Sequence, residues 1–245
     1  MGPSFLVGAP WKVLIIHLDD TYFFQGRLLR LGRAVDLRDL KGTRYLCAFN
    51  DIEKIASRIP RLKKCISFLG RGDYHYLTYI FLRRLEFPFA LLLMDNHLDA
   101  KETFKGYISC GSWLKEATKL PHLERIIFIG QIRKKWGKIY PAGPDIGEIT
   151  KLMGHLPLYI SLDKDILSPS YLTTNWDQGA FSLTDLLSLI SHLPPKKIVG
   201  LDICGEPDGI SLYDHHRSEE INLELIKCIS CLPSRIHKNT LSSAA

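Results

Sequence analysis

FALLLMDNHLD, residues 89–99, joins an unbroken apolar run to an acid–histidine–acid series spaced two apart. Phe89 to Met94 shows no polar alternation, as expected of a strand buried on both faces of a parallel sheet. If the chain stays extended past Met94, Asp95, His97 and Asp99 project to the same side, because strand side chains alternate with period two. Ionised carboxylates held that close repel one another and raise each other's pKa unless a positive charge sits between them. A divalent cation is the natural partner, and carboxylate oxygens with one or two imidazole nitrogens suit Mn²⁺, Zn²⁺ or Fe²⁺.

Comparable apolar runs recur at 12–18, 44–49, 64–70, 125–130, 157–163 and 197–203. Helical patterns lie between several of them. One covers 50–62, another runs from Ser182 to the Pro194-Pro195 stop, and a third covers 218–232 from a Ser218 cap. Strands alternating with helices predict a doubly wound α/β sheet, in which working residues gather beyond the carboxyl ends of the strands. Two further runs end in that way. YISLDKDILSP (159–169) sets Asp163 and Asp165 two apart, and FLGRGDYHYLT (68–78) brings Asp73 and His75 after glycines 70 and 72. Each piece alone has a structural reading, since Asp favours turns and one histidine can cap a helix or sit satisfied in a core. Jointly, at the ends of three buried runs, they favour a metal site. His75, Asp95, His97, Asp99, Asp163 and Asp165 supply too much negative charge for one ion and about enough for two that share bridging carboxylates.

In order and rough spacing, GRGDYH (70–75), DNHLD (95–99) and SLDKDILSP (161–169) resemble known signatures. These are the G-G-D-H, D-A-H-x-D and S-x-D-x-D-x-x-x-P motifs of the arginase/agmatinase, or ureohydrolase, superfamily. GLDICGEP (200–207) is similar to that superfamily's glutamate-bearing segment, and SEEINLELI (218–226) to its closing helix. The resemblance implies a three-layer α/β/α sandwich on a mainly parallel sheet of about eight strands. It also implies two Mn²⁺ ions, with Fe²⁺, Zn²⁺ or Ni²⁺ as alternatives. Asp95 and Asp163 would bridge them, His75 and Asp99 would complete one site, and His97 and Asp165 the other. The implied reaction is hydrolysis of a guanidino C–N bond with release of urea. Glu206 would grip the guanidinium, and Asp99 would pass a proton towards the leaving nitrogen. By position, TNWDQG (174–179) would be a loop near the site, with Asp177 a substrate contact.

Three departures from the superfamily pattern stand out. Tyr74 is inserted before His75, Cys110-Gly111 stands where a His-Gly pair is expected beside the substrate, and Glu206 sits one residue late. The segment between Asp99 and Cys110 carries little to hold a free amino acid's α-carboxylate and α-amine. Arginine within a peptide, converted to ornithine, is therefore a candidate substrate beside small guanidino compounds. A deacetylase-like amide hydrolase and a catalytically silent metal-binding partner module are the alternatives; the missing His-Gly histidine argues for the latter, the intact ligand set against it.

The bounds on the chain agree with a soluble enzyme. Its 245 residues are 46% hydrophobic and 24% charged, enough for a sizeable core and read as one domain, 1–245. The formal net charge of +6 is scattered, and IRKKWGK (132–138) reads as a solvated face, so nucleic acid is not an expected partner. No run approaches the roughly 18–20 apolar residues of a membrane span, and no secretory leader pattern opens the chain. A cytoplasmic enzyme is expected, and the resemblance implies a homo-oligomer. The six cysteines are not spaced as a disulfide framework, and Cys228 and Cys231 read as core packing. HLDD (17–20) reads as a turn, DHHR (214–217) as a helix lead-in and HKNTLSSAA (237–245) as a tail.

Overall fold

The expected alternation of buried strand and amphipathic helix is realised as one large sheet between two helical layers. The computed structural model describes residues 11–209 and 211–231, so the reading of 237–245 as a tail lies outside the described residues. The strands are β1 (Lys12–His17), β2 (Arg33–Asp36), β4 (Cys65–Phe68), β5 (Phe89–Met94), β7 (Leu123–Ile129), β8 (Ile139–Pro141), β9 (Leu158–Asp163) and β10 (Ile198–Cys204). They pair in the order β2-β1-β4-β10-β9-β5-β7-β8, and every pairing is parallel. The six residues of β5 and the six of β9 are all buried, which is why neither strand alternates in sequence.

Period two divides the strand side chains between two cores. Leu92, Ile160 and Leu201 face a cluster built with α5 (Ile146–Met153), α6 (Leu183–His192) and α7 (Leu212–Ser230). Leu91, Leu93 and Tyr159 face a second cluster built with α2 (Phe49–Arg58), α3 (Thr78–Leu82) and α4 (Trp113–Ala117). This is the three-layer α/β/α sandwich. A four-residue turn of helix, α1 (Gly26–Leu29), adds Leu28 to the first cluster. Side-chain caps start α5 and α6, where Asp145 accepts from Glu148 N and Ser182 from Asp185 N, whereas α2 begins without one.

Four readings need correction. The apolar run 44–49 does not enter the main sheet; β3 (Leu46–Ala48) pairs antiparallel with β6 (Tyr107–Ser109) in a small sheet of its own. Edge strands β2 and β8 escape the apolar search because each is short and only one residue of each is buried. Ser218 is not a cap: α7 begins after Ser211, whose side chain accepts from Asp214 N, and Ser218 is buried inside the helix. The DHHR stretch therefore forms the first turns of α7, where His215 is held by Gly209 O at 2.9 Å. Cys231 is exposed at the end of α7, whereas Cys228 packs against the first core. No described helix is long and apolar enough to cross a membrane.

Candidate metal centre

Strands β4, β10, β9 and β5 are neighbours in the sheet, so their carboxyl ends deliver GRGDYH, CGE, DKD and DNHLD to one place. At the end of β4 the chain reverses through Gly70 (φ +97°) into a short 3₁₀ turn, Gly72–Leu77, that carries His75 inward. A side chain at Gly72 would meet Trp176 Cδ1 at 2.9 Å and Asp163 Oδ2 at 3.1 Å, so this close approach requires glycine. After β5 the chain does not stay extended as expected. It bends at residues 96 and 97, and Asp99 adopts φ +54°. The acids and histidine meet because the backbone turns around a point, not because alternate residues share a strand face.

All six residues expected as ligands converge. His75 Nδ1 lies 3.1 Å from Asp95 Oδ2, 3.1 Å from Asp99 Oδ2 and 3.5 Å from Asp163 Oδ2. His97 Nδ1 lies 2.7 Å from Asp165 Oδ2 and 3.9 Å from Asp95 Oδ1. Two three-residue groups with metal-ligand spacing result, His75–Asp95–Asp99 and Asp95–His97–Asp165, with Asp95 in both. A third, His75–Asp163–Cys204, draws in a thiol that the sequence reading passed over.

The electrostatics favour a cation. Burial, with repulsion from Asp165 and Asp99, lifts the Asp95 carboxyl well above its ordinary value. Burial and Asp165 push Asp163 up to about 7. Burial acts to lower His75, but Cys204, Asp95 and Asp99 around it raise it well above the usual imidazole value. A hydrogen bond donated to Asp165 raises His97. His75 Nδ1 and Asp95 Oδ2 are buried with no hydrogen-bond partner although they face each other. Buried polar atoms are rarely left so. Two lone pairs aimed at one point across mutually repelling acids fit a divalent ion, and the donor set of imidazole and carboxylate suits Mn²⁺, Fe²⁺ or Zn²⁺.

Groups behind the ligands fix their orientation. Ser161 Oγ donates to Asp202 Oδ1 at 2.7 Å and sits 3.0 Å from His75 Nε2. With its proton committed to Asp202, the serine oxygen accepts from Nε2–H, which leaves Nδ1 as the lone-pair nitrogen facing the acids. Trp113 Nε1 donates to Asp99 Oδ2 at 2.9 Å, and Asn96 N to Asp165 Oδ1 at 3.1 Å. Cys204 Sγ donates to Asp163 Oδ2 at 3.1 Å; burial raises its thiol well above the ordinary value, so it stays protonated and steers the carboxylate. Sequence reasoning missed Ser161, Asp202, Trp113 and Cys204. The only available signal was that SLD and GLD repeat at the ends of two buried runs.

The centre floors a pocket of about 660 Å³ walled by Trp136, Trp176, Asn96, Gln131 and Lys101. Trp176 is pinned there by Asp73, which accepts from its Nε1 at 3.1 Å, from Asn175 Nδ2 at 2.9 Å and from Arg44 Nε at 2.8 Å. Cys110 and Asp177 both line this pocket. Burial, followed by Asp99, pushes the Cys110 thiol up to about 12, so it is protonated at neutral pH.

Glu206 is elsewhere. It is fully buried and does not line the pocket, and its two oxygens accept from Lys164 Nζ (2.6 Å), Gln25 Nε2 (2.6 Å), Ser218 Oγ (2.6 Å) and Asn222 Nδ2 (2.8 Å). The expected grip on a guanidinium has no room in that arrangement. Gly205, at φ +84°, occupies the point where a side chain would run into Asp163 Oδ1 and the backbone of Lys164, and the chain leaves β10 past it. Lys164, the middle residue of DKD, is the partner the sequence reading did not assign, and a charged residue inside SLDKDIL was its signal.

This arrangement matches known architecture. The fold is that of the arginase/agmatinase superfamily of ureohydrolases. An agmatine ureohydrolase of Thermoplasma volcanium superposes with a TM-score of 0.65 at 18% identity, covering 94% of this chain and 92% of that one. An Entamoeba histolytica arginase in complex with L-ornithine gives 0.59 at 18% over 90% and 97%. A Trypanosoma cruzi formiminoglutamase with Mn²⁺ gives 0.63 at 13% over 92% and 93%. In sequence, the chain is 35% identical over 221 residues to an uncharacterised protein of Thermotoga maritima, 90% of each, and belongs to one family with that protein. No family model matches it.

Proposed function

We propose that this protein is a dinuclear metal-dependent hydrolase that cleaves the C–N bond of a guanidino group and releases urea. The carrying observation is the pair of three-ligand groups sharing Asp95 on the floor of an open pocket. His75 and Asp99 would hold one ion and His97 and Asp165 the other, with Asp95 and Asp163 between them. Manganese is the expected metal. When bound, such a pair would supply a water deprotonated near neutral pH and offset the charge that develops on the heteroatoms of the tetrahedral intermediate.

The chain's own residues do the rest. Asp99, fixed by Trp113 and open to the pocket, carries a proton to the leaving nitrogen. Asp177 offers the exposed carboxylate that a guanidinium needs, and the Trp176 ring gives it a face for cation–π contact. Cys110, a protonated thiol, lines the substrate's path and is not a nucleophile. The substrate is an arginine side chain, with peptide-linked arginine giving ornithine as the form that the sparse segment 100–109 accommodates.

The test is urea release by manganese-loaded protein offered an arginine-containing peptide, free arginine and agmatine in parallel. Urea from the peptide alone supports the peptide form, and urea from the small molecules assigns an ordinary ureohydrolase. A second reading, hydrolysis of a neutral amide such as acetyl-lysine, is favoured by the burial of Glu206, which withdraws the carboxylate expected to select a cation. Acetate release without urea would establish it. A homo-oligomer in the cytoplasm completes the reading; sedimentation and cell fractionation test both.

A further inference from the structure

A second cavity of about 470 Å³ opens at the other edge of the sheet, over the amino ends of β4, β9 and β10. Its walls include Leu62, Phe81, Leu85 and the ring of Tyr159. Gly200 lets the Tyr159 ring pack against the backbone of β10, where a side chain would meet its Cε2 at 2.6 Å, and both residues line the cavity. Arg61, Lys63, Lys64, Arg84 and Lys196 also line the cavity, and among the described residues no carboxylate does. Among the described residues Arg84 donates only to carbonyl oxygens, of Ala56 and Ile59, and its pKa is lowered by burial and then by Arg61 and Arg83. An apolar hollow of this size with a few charged groups in its lining is the usual form of a small-molecule site. Among the described residues these five cations have no acid beside them in the lining, and one molecule with an anionic head and an apolar body complements both parts.

We propose that this cavity binds a free, small organic anion with an apolar body, such as a medium-chain or aryl carboxylate. It is a site separate from the metal centre and does not depend on the function proposed above.

Calorimetry of the full chain with octanoate, octan-1-ol and octylammonium tests it. One octanoate per chain is expected, with octanol weaker by about tenfold or more and octylammonium not bound. Arg61→Glu combined with Lys196→Glu, both exposed positions, should weaken octanoate by about tenfold. Leu62→Trp, which fills the hollow from a half-buried site, should abolish binding while circular dichroism and thermal midpoint stay unchanged. Equal affinity for octanoate and octanol, many molecules per chain, or octanoate binding untouched by both variants would overturn the proposal. So would cosedimentation with phosphatidylglycerol vesicles that the double variant abolishes, since that would assign the basic rim to a lipid surface.

Discussion

Lys164→Met probes the strut on which the metal-binding edge rests. Lys164 and Glu206 are both completely buried and 2.6 Å apart. The ammonium also donates to Ser218 Oγ at 2.6 Å and Asn222 Oδ1 at 3.0 Å, so all three of its protons are used. Removing one partner of such a pair leaves an uncompensated buried charge and costs about 3–5 kcal/mol. At roughly 2–4 °C per kcal/mol for a domain of this size, a loss of about 4 kcal/mol lowers the melting midpoint by roughly 8–16 °C.

The pH dependence separates this from a simple packing loss. Burial pushes Glu206 up, but Lys164, and then Ser218 and Asn222, hold it below its ordinary value. A depressed acid stabilises above its unfolded pKa, and that contribution is lost only as pH falls through the folded value. Without Lys164 burial dominates and the carboxyl rises above its unfolded value, so the variant gains stability as pH falls and Glu206 takes up a proton. Chemical denaturation of EDTA-treated wild type and variant should therefore show the difference largest at pH 8 and shrinking towards pH 5. Lys164→Met with Glu206→Gln should recover part of it. A loss below about 1 kcal/mol at pH 8, or one that does not vary with pH, refutes the reasoning.

Three further outcomes are expected. In EDTA-treated protein, raised folded-state acids mean that stability falls as pH climbs from the ordinary carboxylate range through about 7, where Asp163 titrates; Asp163→Asn should flatten that slope in thermal melts and abolish tight manganese binding by calorimetry. Trp113→Phe removes the hydrogen bond to Asp99 and should weaken manganese binding by about 10- to 100-fold, read by competition with a chelating dye. Cys110→Ala should leave turnover within about threefold, because a thiol titrating near 12 supplies no thiolate at neutral pH; a loss beyond about 100-fold in the same assay would make it a nucleophile.

The central strands and the six converging residues were legible because burial on both faces leaves long apolar runs and because repelling acids at strand ends demand a cation. Edge strands β2 and β8 were not, since a short strand with one buried residue carries no period to read. Nor was the turn after β5. Extended spacing and a bend at Asp99 place the same three side chains near one another, and sequence spacing cannot tell them apart.

Glu206 shows where motif reading fails physically. In β10, Asp202 and Cys204 share a sheet face, and both serve the centre, through Ser161 and Asp163 respectively. The strand does not continue past Cys204: Gly205 takes a left-handed φ of +84°, and Glu206 turns under Lys164. Glu206 is thereby half of a buried ion pair with Lys164, which fastens the end of β10 to α7 through Ser218 and Asn222. On the proposed function, discrimination among cationic substrates falls to the pocket wall, where Asp177 stands beside Trp176 and is tied to the centre by Asn96, which donates to the Asp177 carbonyl at 2.8 Å and to Asp165. A change at Asp177 should therefore alter which substrate is used, whereas a change at Glu206 should alter whether the edge of the sheet holds its shape.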